Sequence, residues 1–301
     1  MRAVVVGAVE STRIALAALA RAADWRVAAV VTLPGELAKR HSDFVDLAPD
    51  AAEAGALFIQ AADGNAADVV AQVAALDADI GLVIGWSQIC REPFASAFRQ
   101  GLVGYHPAPL PRLRGRGVIP WTILVREPIT AASLFWIDAG VDSGPLIGQR
   151  YFHVAPGETA GTLYERHMAE LAALLDDVLP GLAAGSAARV VQDERCATWA
   201  ARRTAADGEI DWRAPACDVE RLVRAVTRPY PGAFTHSSGE RLVVWRSSLW
   251  PEATRHSAAP GQVIAITEGS FAVACGDGGA ILIDEWQGAP PRLHARLGQS
   301  R

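Results

Sequence analysis

The residues of this sequence with the clearest potential for chemistry are one histidine, His106, and one carboxylate, Asp142. His106 lies in residues 101–121, GLVGYHPAPLPRLRGRGVIPW, where prolines and glycines predict a shaped loop rather than a helix or a sheet interior. Asp142 follows after 142 − 106 = 36 residues, in WIDAGVDSGP. A carboxylate within reach of an imidazole orients the ring, and the pair can then act as a general base or proton relay. The plain alternative is a rigid surface turn with a solvated histidine.

The elements around these residues predict how they are positioned. Residues 80–84 form an apolar, strand-like run before the His106 loop, residues 118–126 fit a helix, and residues 131–137 fit a second strand. Because ligands of open α/β sheets bind where strands end, we expect the His106 and Asp142 loops to meet at one end of a sheet.

The order of elements predicts a doubly wound, Rossmann-like α/β domain followed by a smaller β-rich domain. Residues 3–6 and 27–32 are strand-like, and an alanine-rich helix lies between them with Ser11 or Thr12 as its N-cap. No GxGxxG motif follows the first strand, which argues against an NAD enzyme. A long helix is predicted at residues 159–179 and a shorter one at residues 218–227. Short strands separated by glycine and aspartate then predict a small β-barrel, with a hairpin turn at residues 235–239.

Composition narrows the class of protein. Half of the 301 residues are hydrophobic, the net charge is −5 and Lys39 is the only lysine, which does not favour nucleic-acid binding. No apolar run approaches the ~18 residues of a membrane span, and no signal-peptide pattern precedes the first strand, so we expect a cytoplasmic protein. The four cysteines are far apart in sequence, which predicts reduced, mostly buried thiols and no metal site.

The two motifs together resemble those of the 10-formyltetrahydrofolate-dependent formyltransferases, which include methionyl-tRNA formyltransferase and the sugar N-formyltransferases. The family pattern is Asn-x-His-x-x-x-Leu-Pro-x-x-x-Gly, followed by an aspartate before Thr/Ser/Ala-Gly. Residues matching in type and spacing are His106, Leu110, Pro111, Gly115, Asp142 and Gly144. The family asparagine falls on Gly104, which is the one departure in the motif.

The resemblance implies a domain organisation and a formyl donor. It implies a catalytic domain over residues 1–195, a linker over 196–215 and an OB-like domain over 216–301. The implied donor is N10-formyltetrahydrofolate, with no metal. The loop after the strand at 80–84 binds the folate pterin in this family. Residues that we expect to bind the donor are Trp86, Ser87, Gln88, Ile89, Ala108, Pro109, Leu110, Pro111, Ile137, Asp138 and Gly140.

The predicted reaction is formyl transfer to an amine, with His106, Asp142 and the position of Gly104 as the catalytic site. This reaction needs a neutral amine, stabilisation of an oxyanion and a proton for the departing nitrogen. In the family the asparagine amide binds the oxyanion, and loss of one such donor costs about 10²–10³ in rate. Three alternatives are open for the missing asparagine amide. A backbone N–H or a water replaces it, Gln88 or Ser143 supplies the hydrogen-bond donor, or the protein is a slow enzyme or a non-catalytic folate binder.

The acceptor is predicted to be a small molecule. The Arg114-Gly115-Arg116 sequence looks like the sugar-nucleotide branch of the family, and guanidinium groups suit phosphate or carboxylate. We therefore expect the acceptor to be the amine of a nucleotide-linked amino sugar or a similar metabolite, bound by Arg114, Gly115 and Arg116. We expect no nucleic-acid or membrane partner, and a homodimer is possible. The alternative for both arginines is packing or salt bridging within the loop. The alternative functions are methionyl-tRNA formyltransferase and a non-catalytic or hydrolytic folate-binding relative.

Overall fold

The computed structural model describes residues 1–40 and 43–298. Those residues form fourteen strands and seven α-helices, numbered in chain order. The strands are β1 (Arg2–Val6), β2 (Arg26–Thr32), β3 (Leu57–Gln60), β4 (Ile80–Val83), β5 (Leu102–His106), β6 (Arg114–Gly115), β7 (Ile129–Trp136), β8 (Leu146–His153), β9 (Trp199–Ala200), β10 (Ala233–Ser237), β11 (Glu240–Leu249), β12 (Val263–Thr267), β13 (Ser270–Ala274) and β14 (Ala280–Gln287). The helices are α1 (Glu10–Arg21), α2 (Ala48–Glu53), α3 (Ala67–Ala74), α4 (Glu92–Ala95), α5 (Val118–Leu124), α6 (Ala160–Ala183) and α7 (Ala216–Val226).

The larger sheet has seven strands in the order β3-β2-β1-β4-β5-β7-β8. Its first five strands are parallel, whereas β7 and β8 run antiparallel to their neighbours. Successive residues of β1 alternate between the two faces: Val5 packs with α1 and α6, and Val4 packs with α3 and α4. Apolar residues on both faces require helices on both faces. The predicted doubly wound α/β fold is therefore confirmed.

Two neighbouring strands, β1 and β4, mark the point where the strand order reverses, since β1 leads outward to β2 and β4 leads the other way to β5. Their carboxyl ends are joined, because the Ala8 amide donates to the Gly85 carbonyl at 3.2 Å and Thr12 Oγ1 donates to the Ile84 carbonyl at 2.6 Å. Ligands of open α/β sheets bind at such a point.

The start of α1 differs from the sequence prediction. The helix begins at Glu10, so Ser11 and Thr12 lie inside its first turn and neither is the N-cap. Thr12 is buried, and its hydroxyl accepts from the Val9 amide at 3.3 Å while donating to the carbonyl of Ile84, the residue after β4. The predicted N-cap role of Thr12 is therefore wrong. Its hydroxyl donates instead to Ile84, which lies 72 residues away in the sequence.

The chain divides into two compact units. One comprises residues 1–118, 129–153 and 165–200, and the other comprises residues 119–128, 154–164 and 201–301. The second unit contains an antiparallel sheet in the order β10-β11-β14-β13-β12, with α7 packed against β11 and β14. This confirms a separate β-rich C-terminal domain.

The first hairpin of that sheet is tighter than its sequence predicts. Strand β10 continues to Ser237, so Thr235 and His236, which were predicted in the turn, lie in the strand. The turn itself is Ser238-Gly239, whose φ angles of +54° and +88° suit a two-residue hairpin. In the described part of the chain, no helix is both long enough and apolar enough to cross a membrane.

Candidate active site

His106 is the last residue of β5, and its ring is buried. Its Nε2 lies 2.7 Å from the carbonyl oxygen of Leu113. Because a carbonyl only accepts hydrogen bonds, Nε2 carries a hydrogen and donates it. The tautomer is thus fixed by the backbone, and Nδ1 is left as the nitrogen that can gain or lose a proton.

Asp142 faces that nitrogen. Its Oδ2 lies 3.4 Å from His106 Nδ1 and accepts a hydrogen bond from the Gly115 amide at 2.8 Å. Asp142 itself has a φ of +53°, an uncommon backbone angle for a residue with a side chain. The structure therefore brings together the two residues that the sequence motifs single out, and adds a backbone N–H that orients the carboxylate.

The route by which Asp142 reaches His106 differs from the prediction. Strand β7 is antiparallel to β5, with Trp136 opposite Val103 and Ser133 opposite His106. The carboxyl end of β7 therefore lies beside the beginning of β5, not beside His106. The two loops therefore leave opposite ends of the sheet, yet they meet as predicted, because residues 137–145 turn back towards His106 before β8 begins.

The loop after His106 is held by side chains of β7 and β8. Ser133 Oγ donates to the Ala108 carbonyl at 2.6 Å, and Gln149 Nε2 donates to the Leu110 carbonyl at 3.0 Å. Gln149 Nε2 also donates to Ser133 Oγ at 2.9 Å. These bonds fix the backbone of the loop from one side, and none of them is visible as a sequence motif.

A second set of bonds fixes the end of the loop. Leu113, at a φ of +57°, donates its amide to Thr198 Oγ1 at 2.9 Å, and Arg114 and Gly115 form β6, which pairs with β9. Gly115 has a φ of +109°, and a Cβ there would lie 2.4 Å from the Ala200 carbonyl oxygen. Only glycine fits this close approach, so the motif glycine has a structural reason.

Gly104 lies in β5, two residues before His106 and therefore on the same face of the sheet. It is paired with Phe135 of β7, whose side chain is buried. The two side chains proposed as replacement oxyanion donors both make hydrogen bonds to their own surroundings. Gln88 accepts from the Gly64 amide at 3.1 Å and donates to the Ala62 carbonyl at 2.9 Å. Ser143 Oγ donates to Asp138 Oδ1 at 2.8 Å.

The loop at the carboxyl end of β4 contains the residues that were predicted to contact the pterin. Trp86 is half-buried against the core, Ser87 and Gln88 are half-buried, and Ile89 is exposed. Asn65 holds this loop, since its amide donates to the Ile89 carbonyl at 2.9 Å and its oxygen accepts from the Arg91 amide at 2.7 Å. The loop is therefore a fixed surface at the switch point of the sheet.

The other predicted donor-binding residues fall into two groups. Ala108, Pro109 and Leu110 are buried, with Pro111 half-buried beside them. Ile137 is half-buried, whereas Asp138 and Gly140 are exposed, and Asp138 Oδ1 accepts from the Gly140 amide at 3.0 Å.

Arg114 and Arg116 have different environments. The Arg114 side chain is buried, and its guanidinium donates to Glu194 Oε1 and Oε2 at 2.7 and 2.9 Å and to Gln192 Oε1 at 2.8 Å. These hydrogen bonds lower the pKa of the Glu194 carboxyl. For Arg114 these contacts favour the alternative to acceptor binding, namely an internal salt bridge. Arg116 is exposed, and Gly115 is half-buried.

The remaining titratable candidates have structural environments. Cys196 and Cys217 are exposed, so the prediction of mostly buried thiols is wrong for these two, because both lie in polar segments at the surface. Burial raises the pKa of Cys90 and of Cys275 to about 12. His167 is buried, with its ring edge to face with Phe152 at 4.8 Å between centroids.

Comparison with known proteins identifies the family. The family model described as formyl transferase matches residues 1–179, and the model described as formyl transferase, C-terminal domain, matches residues 202–292. A methionyl-tRNA formyltransferase of Geobacter metallireducens is 31% identical over 263 residues, which cover 87% of this chain and 83% of that protein.

Solved structures with low sequence identity share the fold. WlaRD, a sugar 3N-formyl transferase solved with dTDP and 5-N-formyl-THF, aligns with a TM-score of 0.70 at 16% identity over 94% of this chain and 97% of its own. The N-formyltransferase of Helicobacter canadensis, solved with folinic acid and dTDP-3-aminofucose, aligns with a TM-score of 0.69 at 17% identity over 94% and 98%. With its paired His106 and Asp142 and with matches to both family models, the chain belongs to the formyl transferase family and is a formyl-transferring enzyme.

Proposed function

We propose that this enzyme transfers a formyl group from N10-formyltetrahydrofolate to the amino group of a small metabolite, with a nucleotide-linked amino sugar as the acceptor class. The observation that carries the proposal is the pair formed by His106 Nδ1 and Asp142 Oδ2, 3.4 Å apart and each held by the backbone. A formyl donor supplies the electrophilic carbon, and the chain supplies the proton transfers.

The pair accounts for the protons. With Nε2 donating to Leu113, the proton taken from an incoming ammonium is received at His106 Nδ1 and held between Nδ1 and Asp142 Oδ2. That proton then goes to the departing N10, and the neutral imidazole takes the second proton lost by the acceptor nitrogen and releases it to solvent, so the pair serves in turn as base and acid. The Gly115 amide keeps the carboxylate in place during both steps.

The donor-binding residues proposed here are those of the β4 loop and of the two loops that flank His106. The half-buried Trp86 offers a flat apolar surface, and the buried segment Ala108 to Leu110 has its carbonyls fixed by Ser133 and Gln149. A flat ring system with polar edges fits such a combination of aromatic and backbone groups. WlaRD and the Helicobacter canadensis enzyme, which share the fold, were solved with folate derivatives.

The surface charges of the second unit support a small acceptor. Its arginines are mostly paired with neighbouring carboxylates, among them Arg213 with Asp211 and Arg246 with Asp284. Binding tRNA requires neutralising several phosphates with clustered cations. Paired arginines and a single lysine in the sequence do not provide that, whereas a nucleotide diphosphate needs only one or two guanidinium groups.

The second candidate is methionyl-tRNA formyltransferase, because the Geobacter metallireducens relative carries that name. The purified protein is given N10-formyltetrahydrofolate with either dTDP-linked amino sugars or charged initiator tRNA. We expect tetrahydrofolate release only with the amino sugar and little change in KM from about 50 to 200 mM salt. Turnover of tRNA with a KM that rises steeply over that range overturns the choice of acceptor. Release without any amine identifies a hydrolase.

A further inference from the structure

Gln192 lies in an irregular segment, after Val190 has paired with Leu146 and before the 3-10 turn Glu194–Cys196. Only 5% of the residue is exposed. Its amide nitrogen donates to two carbonyls of the catalytic loop, that of Asp142 at 2.9 Å and that of Gly144 at 2.7 Å. One side chain therefore bonds the backbone on both sides of Ser143.

The opposite end of the same amide is bonded to Arg114. Gln192 Oε1 accepts from Arg114 Nε at 3.2 Å and from Nη2 at 2.8 Å. Since a guanidinium only donates and carbonyls only accept, this is the one orientation of the amide that satisfies all four bonds. Arg114 is held in turn by both carboxylate oxygens of Glu194.

The loop that Gln192 bonds has a backbone that needs support. Asp142 has a φ of +53°, and a left-handed conformation of a residue with a side chain persists only when its surroundings hold it. Gly144 lies so close to β7 that a Cβ there would be 1.7 Å from the Trp136 carbonyl oxygen. The direction of the Asp142 side chain therefore depends on how firmly its carbonyl and that of Gly144 are anchored.

We infer that Gln192 is a positioning residue for formyl transfer: it sets the Asp142 carboxylate against His106 through the loop backbone, and Arg114 fixes the orientation of its amide. The inference rests on the proposed role of the His106–Asp142 pair for its effect on activity. Its structural part, the coupling of Gln192 to the imidazole, can be measured without any turnover.

The test is Gln192→Glu, which keeps the shape and the bonds to Arg114 but turns an oxygen towards the two loop carbonyls. We expect kcat to fall about 10- to 100-fold, as misplaced catalytic groups do, while KM for the folate stays within about twofold. In nitrogen-15 NMR spectra at constant pH, the His106 ring signals shift in the direction given by Asp142→Asn. Gln72→Glu, at an exposed glutamine of α3, is the matched control.

Arg114→Lys provides a second variant, because it keeps the charge beside Glu194 but loses the fork that orients Gln192. We expect the same NMR shift at smaller amplitude, even if Gln192→Glu does not fold. A folded Gln192→Glu or Arg114→Lys protein with unchanged His106 signals and full kcat overturns the inference. If His106→Ala and Asp142→Asn keep full activity while the NMR coupling is present, the proposed function fails and the structural coupling stands.

Discussion

The aromatic ring of Phe135 lies against Gly104, where a side chain on residue 104 would begin. An ideal Cβ on Gly104 would be 2.7 Å from Phe135 Cζ and 3.1 Å from Ile137 Cγ1. The two residues are directly opposite in β5 and β7, and both are buried. In the pattern that this sequence resembles, residue 104 is an asparagine. The absence of that amide is thus matched by a phenylalanine that fills its volume.

Restoring the asparagine without any other change should therefore destabilise the protein. We expect Gly104→Asn to lower the free energy of unfolding by about 1–3 kcal/mol, because it overpacks the site. Adding Phe135→Ala removes the obstructing ring, so the double variant should be less destabilised than the sum of the two single variants, with a coupling of about 0.5–3 kcal/mol. Urea unfolding of the four proteins measures this coupling.

The same variants show whether an oxyanion donor is missing. With the ring gone, the new amide has room, and the double variant should transfer formyl groups faster than Phe135→Ala alone in a single-turnover assay. Gly35→Asn is the control, since nothing lies within 4 Å of a Cβ at Gly35. If the effects of the two single substitutions on the free energy of unfolding were strictly additive, the Phe135 ring would not be what excludes a side chain at residue 104.

Much of the site follows from local sequence. The motif residues of the His106 loop lie within twelve positions of one another, and glycine and proline there dictate an irregular backbone, so the loop could be predicted. The hydrogen bonds that join this loop to the rest of the site could not be predicted. Arg114 and Glu194 are 80 residues apart, and Gln192 and Asp142 are 50 residues apart. Neither pair has a spacing that helix or strand periodicity can connect.

The direction of β7 is a second example. Its apolar run predicts a strand, and residues 129–136 form one. Periodicity says nothing about whether a strand is parallel to its neighbour, because the side chains of both kinds alternate in the same way. The reversal at β7 changes which end of the sheet Asp142 starts from, and only the pairing of Ser133 with His106 reveals it.

The proposed catalytic pair, His106 and Asp142, gives a direct prediction. His106→Gln and Asp142→Asn should each lower kcat by about 10²–10⁴, the range attributed to a positioned acid–base group. Folate binding and the thermal midpoint should change little in Asp142→Asn, because the amide oxygen can still accept from Gly115. His153→Gln, at an exposed histidine of β8, should behave as the native protein. Near-native kcat in either pair variant would show that proton transfer occurs elsewhere.

The two arginines of the loop should separate stability from acceptor binding. Arg114→Ala leaves the Gln192 oxygen buried without its partner, so we expect a loss of about 1–3 kcal/mol in the free energy of unfolding. Because an interaction at an exposed arginine contributes little, Arg116→Ala should change the free energy of unfolding by no more than about 1 kcal/mol. It should raise KM for a sugar-nucleotide acceptor about tenfold. Arg112→Ala, at another exposed arginine, is the control. Equal KM values for Arg116→Ala and the native enzyme would remove Arg116 from the acceptor site.

His167 predicts how stability responds to acid. Burial, with smaller contributions from His106 and Arg166, lowers the pKa of His167 to about 3. Neither ring nitrogen has a hydrogen-bond partner among the described residues, so the folded protein holds the ring neutral. The unfolded chain binds a proton there below its ordinary pKa of about 6.5, so folding becomes less favourable as pH falls from about 6.5 towards 3.

Removing this histidine should remove that part of the acid sensitivity. Across pH 6 to 4 the native protein should lose about 1 kcal/mol per pH unit through this residue, a loss that His167→Phe does not share. Urea midpoints measured at intervals of half a pH unit give the slope for each protein. His153→Phe, the same substitution at an exposed position, is the comparison variant. Parallel pH profiles for His167→Phe and the native protein would mean that the His167 ring is protonated in the folded state.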